Sequence, residues 1–156
     1  MKKTGMVVVA VVVLGGFLYW ASTFSGQQLQ FIPGTEVAFL PNGHQQLAAH
    51  IHPTLSVTVD GEPEVIPANV GIVGSRMSEM HTHDASGTLH IETATQARLN
   101  ELSLEDFFDV WGMPVTREGY TLAIFVDGNE VQGIDQVVIR DHTAIQLVYS
   151  SEAINS

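Results

Sequence analysis

No cysteine occurs in the 156 residues. Disulfides, thiolate metal sites and thiol nucleophiles are excluded together, so packing has to hold the fold. Positive charge is scarce too: six Lys and Arg stand against seventeen Asp and Glu, a formal net charge of −11. Nucleic-acid and anionic-lipid surfaces need clustered Lys and Arg. Beyond Lys2 and Lys3 the basic residues are Arg76, Arg98, Arg117 and Arg140, each far from the next in sequence, so no nucleic-acid partner is expected. A phosphate-cradling loop is also missing, because Val70-Gly71-Ile72-Val73-Gly74 lacks the Lys and the helix start that such a site requires. The chain has no internal repeat and no low-complexity tract.

What is present begins with an apolar run. Gly5 to Phe24 carries no charge and is rich in Val, about the length that crosses a ~30 Å hydrocarbon layer as a helix. Lys2 and Lys3 precede it and no other basic residue follows until Arg76, which predicts a single-pass cell-membrane protein with its N-terminus inside. A cleaved signal peptide would share the charged start. Tyr19-Trp20-Ala21-Ser22, however, is a poor cleavage site and suits an interfacial aromatic belt. The expected organisation is a cytoplasmic tip (1–4), a transmembrane anchor (5–24), a stalk (25–48), one extracytoplasmic domain (49–151) and a tail (152–156).

Within the stalk, Pro33-Gly34 and Pro41-Asn42-Gly43 break the chain around one short strand at 36–40. From Leu55 the period becomes two, with Leu55, Val57 and Val59 alternating with Ser56, Thr58 and Asp60, before a turn at 60–63 and a return strand near 64–66. Met80 to Glu92 reads as a second hairpin folded at Asp84-Ala85-Ser86-Gly87. Ser103 then caps a two-turn helix with first-turn acids, an aromatic face of Phe107, Phe108 and Trp111, and a stop at Gly112 and Pro114. Further strands are expected at 120–126, 130–131, 136–139 and 144–149, with a turn at Asp127-Gly128. That order predicts an α+β domain in which a small β-grasp-like mixed or antiparallel sheet covers one short helix.

The chemistry-bearing residues are histidines, seven in all. Five fall in His50-x-His52 and His81-x-His83 with His90. Imidazole is the commonest metal ligand, and residues i and i+2 of a strand share a face at about 7 Å. A four-residue turn at 84–87 places His90 opposite His81. A bulge at Gly87 would slip the register by one and turn His90 away. The hydrophobic pattern favours the first register, which gathers Met80, Leu89 and Ile91 on a core face and His81, His83, His90 and Glu92 on the other. Met77 and Met80 add thioethers of the kind that select copper, although core packing explains methionine as readily.

His81-Thr-His-Asp-Ala-Ser-Gly-Thr-Leu-His-Ile-Glu92, followed by Leu104-Glu-Asp-Phe-Phe-Asp-Val-Trp-Gly112, resembles a family of uncharacterised exported or membrane-anchored prokaryotic domains with an HTHDxSGxxHxE signature and an FFxxWG helix. The likeness covers about 54–112 and the Val126-Asp-Gly128 hairpin. It implies no established activity, an expectation of metal binding from its histidines, and a core position for Met80.

Catalytic readings find less support. Ser86, His83 and Asp84 are the residue types of a triad, but neighbours in a tight turn cannot adopt its geometry. Glu105, Asp106 and Asp109 sit where helix capping and the dipole already call for acids. The sequence therefore points to a non-catalytic, His-rich domain handling copper or zinc, with His81, His83 and His90 as metal ligands and His50, His52, Met77, Met80 and Glu92 as weaker candidates. The rival is an accessory subunit of a membrane protein complex, in which the histidines only order a turn.

Overall fold

The computed structural model describes residues 29–152. The expected anchor at 5–24 lies outside them, and no helix among the described residues is long and apolar enough to cross a membrane. In chain order the elements are β1 (Pro41–His44), β2 (Ala49–Ile51), β3 (Thr54–Val59), β4 (Glu62–Glu64), β5 (Ile72–Val73), β6 (Arg76–Met77), β7 (Met80–His81), β8 (His90–Thr93), α1 (Gln96–Glu101), α2 (Leu104–Trp111), β9 (Tyr120–Val126), β10 (Asn129–Val131) and β11 (Ala144–Ser151). A 3₁₀ turn at Ile134–Gln136 precedes β11. The fold is a small, sheet-dominated α+β arrangement with few helices.

The larger sheet has the order β10-β9-β11-β3-β4. Its central pair, β3 and β11, runs parallel from Thr54 opposite Ala144 to Val59 opposite Tyr149, and the other pairs are antiparallel. Period-two alternation explains the faces: Leu55, Val57, Ile145, Leu147 and Tyr149 are buried while Ser56 and Gln146 are exposed. Both hairpins of this sheet close through two residues at positive φ, Asp60-Gly61 and Asp127-Gly128, as a primed turn requires. Pro63 is tolerated because β4 is an edge strand.

Helix α2 forms as its sequence dictates. The Ser103 hydroxyl accepts from the Asp106 N–H while the Asp106 carboxylate accepts from the Ser103 N–H, a complete capping box, and Gly112 ends the helix at φ +74°. Leu104, Phe107 and Phe108 are buried in the main core, with Trp111 half-buried against it. Burying each such side chain stabilises by about 1.5–3 kcal/mol.

A smaller sheet, β2-β8-β7, joins β2, which precedes the first hairpin of the large sheet, to β7 and β8, which lie between that hairpin and the helices. Met80, Leu89 and Ile91, all at 0 % exposure, join the same core from this sheet. The register is the one favoured by the hydrophobic pattern, with Met80 opposite Ile91 and His81 opposite His90.

Several features differ from the sequence reading: Pro41-Asn42-Gly43, expected to break the chain, lies in β1, the strand expected at 36–40 is reduced to isolated bridges at Ala38 and Phe39, and β2, β5 and β6 were not anticipated. Residues 37–40, assigned to the stalk, are buried, because the Ala38 N–H donates to Glu79 Oε2 and the Leu40 N–H to the Met77 carbonyl. Residues 137–139 form no strand, and the chain reaches β11 through the 3₁₀ turn. Helix α1 was not anticipated. It is capped by Thr95, whose side chain accepts from the Arg98 N–H, but it buries no residue and so shows no apolar stripe.

Candidate metal centre

The turn between β7 and β8 is fixed from several sides. Asp84 Oδ1 accepts from the Ser86 N–H at 2.9 Å, and the Ser86 hydroxyl donates to Thr88 Oγ1 at 3.0 Å. Buried Thr82 donates to the Pro67 carbonyl at 2.8 Å and accepts from the Val70 N–H. Gly87 has φ +82°, and a Cβ there would lie 2.3 Å from the Leu55 carbonyl oxygen. Only glycine lets this turn dock on β3, where the Leu55 N–H donates to the Gly87 carbonyl at 2.8 Å. Ser86 is thus occupied in shaping the turn.

On the opposite side of β8, strand β2 pairs antiparallel with His50 opposite Glu92 and Ile51 opposite Ile91. One step further along this register His52 lies beside His90, with ring centroids 4.7 Å apart. His90 therefore occupies the middle strand, flanked by His81 from β7 at 5.3 Å between centroids and by His52 from the end of β2. His83 stands 4.4 Å from it and His50 6.0 Å.

Hydrogen bonds assign the free nitrogens. His81 Nδ1 lies 2.9 Å from the Ser78 carbonyl. A carbonyl only accepts, so Nδ1 carries the proton and Nε2 keeps its lone pair. That Nε2 is 3.3 Å from His83 Nε2. Two nitrogens bound to a tetrahedral ion at 2.0–2.1 Å stand roughly 3.3–3.4 Å apart, so the pair is already at ligand spacing. His90 Nδ1 is buried without a hydrogen-bond partner, a state that costs about 1–3 kcal/mol unless something meets it. Burial, reinforced by neighbouring imidazoles, lowers the pKa of His81 and of His90 to about 4. Both are neutral at pH 7, the form in which imidazole binds a metal.

Two triads of ligand atoms lie within 4.8 Å of one another, His81-His83-His90 and His50-His52-His90. Glu92 is fully buried beneath the second, with His50 Nε2 3.0 Å from Oε1 and His44 Nδ1 2.8 Å from Oε2. His44 is a residue that sequence reasoning missed. It stands alone at the end of β1, whose Pro-Asn-Gly-His sequence reads as a chain breaker, and only the fold brings its ring to 6.1–6.2 Å from those of His50, His81 and His83. Six of the seven histidines thus share one cluster, closed at buried His81 and open to solvent at exposed His83.

The other candidates fall elsewhere. Met80 is in the apolar core, on the face of β7 opposite His81. Met77 pairs with Ile72 in the β5–β6 hairpin and lines a surface pocket with Phe39 and Leu40. His142 is 82 % exposed and joins none of the ring contacts. Its neighbour Asp141 does reach the cluster's edge, accepting from the His52 N–H at 2.8 Å, a bond that holds the Asp141 carboxyl below its ordinary pKa.

The ligand set is nitrogen-rich with one buried carboxylate and no sulfur, a combination that could hold any of several first-row metal ions. Comparison with protein-family models, with curated proteins and with solved structures found no match to this chain.

Proposed function

We propose that this protein is a membrane-anchored, extracytoplasmic metal-binding domain that takes up copper or zinc through His81, His83 and His90. The observation that carries the reading is the 3.3 Å separation of His81 Nε2 and His83 Nε2, one of them tautomer-locked, beside an unpartnered His90 nitrogen. Imidazoles held this way bind without reorganising, so little affinity is lost to ordering. The scaffold fits a β-grasp-like plan, in which a hairpin, a helix, a second hairpin and a final parallel strand form one unit, while the histidine sheet is made by the preceding strand β2 and the inserted strands β7 and β8. The N-terminal apolar run would hold this unit to the membrane, on the side opposite Lys2 and Lys3.

Titration calorimetry of the full chain with Cu(II) and Zn(II) tests the metal reading. Binding tighter than about micromolar, or ~8 kcal/mol, is expected for at least one ion, with lower affinity or stoichiometry in the His81→Ala/His83→Ala variant. No such binding by either ion would overturn it in favour of an accessory subunit with structural histidines. Placement is tested separately: a Ser151→Cys variant in intact cells should react with an impermeant thiol reagent, since the chain has no other cysteine. Labelling only after lysis would refute the orientation.

A further inference from the structure

The cluster holds more ligands than one ion can use. A tetrahedral zinc or copper takes four ligands, whereas six imidazoles and one buried carboxylate converge here. They are also partitioned. His81 and His83 are in ring contact at 4.8 Å, and so are His50 and His52 at 4.5 Å. Among the described residues no ring contact joins one pair directly to the other, and His90 touches all four rings. An imidazole has two nitrogens on opposite edges, and deprotonated it offers a lone pair at each.

We infer that the cluster is a two-ion centre, one metal on His81 and His83 and the other on His50 and His52, with the His90 ring between them as their common ligand. This rests on the metal-binding reading and extends it. His90 sits on the central strand β8, and each flanking strand, β7 or β2, supplies one histidine of a pair with the other just beyond its C-terminal end, so the two half-sites follow from the strand order β2-β8-β7. Two dications side by side repel, and the cluster carries counter-charge for them. Glu92 is at 0 % exposure beneath His44 and His50, and Asp141 Oδ1 lies 3.9 Å from His52 Nδ1. Glu92 also occupies His50 Nε2, which leaves Nδ1 of that ring for the metal, as outer carboxylates commonly do for ligating histidines. Sharing His90 requires that its ring lose its remaining N–H proton to solvent when the second ion binds. The shared ring then carries one negative charge between two dications.

Cu(II) is the probe, because two copper spins linked through one imidazole couple. The full chain should take up two equivalents. The first should give the resonance of an isolated Cu(II), and the second should lower the integrated intensity per copper while releasing a proton visible as a buffer-dependent heat. His50→Ala/His52→Ala should bind one equivalent at full intensity. His52→Gln, a milder change at a strand end, should do the same if the double variant fails to fold. One equivalent in the unaltered chain would overturn the second ion and leave the metal-binding reading standing. A second equivalent that persists in both variants, or that adds an uncoupled signal without proton release, would overturn the shared ligand. No binding at all would sink both.

Discussion

The two sheets share one apolar core, but only the smaller one also buries polar and charged groups in number. In the larger sheet the buried positions are Leu55, Val57, Ile124, Ile145, Leu147 and Tyr149, each packed on apolar neighbours. In the smaller one, six of the seven buried polar or charged residues of the described chain fall between Ser78 and Thr93. Apolar burial stabilises in proportion to area, whereas buried charge and unpaired imidazole at best break even against desolvation. The large sheet is therefore built for stability. The small one gives up stability for a concentrated set of ligands, and it is braced from outside. Arg98 makes a close pair with buried Glu79 at 2.8 Å, and that carboxylate also accepts from the Ala38 N–H, tying residues 37–40 and α1 to the small sheet.

This contrast can be broken most directly in the shared core. Phe107→Ala removes a side chain at 0 % exposure and should lower unfolding free energy by about 3–5 kcal/mol, a large part of the roughly 5–15 kcal/mol typical of a domain. Denaturant melts should show it as a fall in midpoint for both regions together. An unchanged midpoint would mean that the aromatic face of α2 does not hold the sheets to one another.

Metal should narrow the difference between the sheets. At a free ion concentration about 100 times Kd, binding to the native state adds ~2.7 kcal/mol. Thermal melts with and without Zn(II) should show this gain, and His83→Ala, altering an exposed ring, should reduce it to what the His50–His52 half-site supplies while leaving the metal-free melt in place. A gain undiminished in His83→Ala would mean that this ring holds no ion.

Acid should separate the regions by pH. His81 and His90 titrate near pH 4 when folded, against an ordinary value near 6.5. Between those values the unfolded chain binds protons that the native chain does not, so metal-free stability is fully present above about pH 6.5 and falls as pH drops towards 4. In the large sheet Glu64 is held below its ordinary carboxylate range, chiefly by its hydrogen bonds from Arg117 at 2.7 and 2.8 Å. Its contribution is present above the ordinary value of 4.5 and is lost only below it. Hydrogen exchange followed from pH 7 to 4 should therefore open β7 and β8 before β3 and β4, and simultaneous opening would contradict the assignment. The smallest effect expected is that of His142→Ala, which should change neither metal affinity nor melting, since that ring stands outside the cluster.

Local patterns were legible where one residue type decides a backbone state. The Ser103 cap, the Gly112 stop and the Asp60-Gly61 and Asp127-Gly128 turns follow from hydrogen-bonding and φ requirements that act within a few residues. The β7–β8 register was legible for a related reason, since alternation allows only one pairing that buries Met80, Leu89 and Ile91 together. Residues 137–139 misled because a β-branched Val-Val-Ile run without a strand partner makes no ladder. Helix α1 left no signal because none of its residues is fully buried and Leu99 alone packs partly on the core, too little for an apolar stripe.

By itself, then, the sequence determined the α+β class, the capped aromatic helix, the hairpin that sets His81 against His90, and the exclusion of thiol chemistry. Tertiary structure alone decided that β2 lies against β8, that β3 and β11 run parallel, and that His44, His50 and Glu92 converge on the same centre. The physical reason is range. Caps, turns and periodicity are settled by neighbours within a few residues, whereas His44 meets Glu92 across 48 positions through backbone pairing that carries no mark in either local segment.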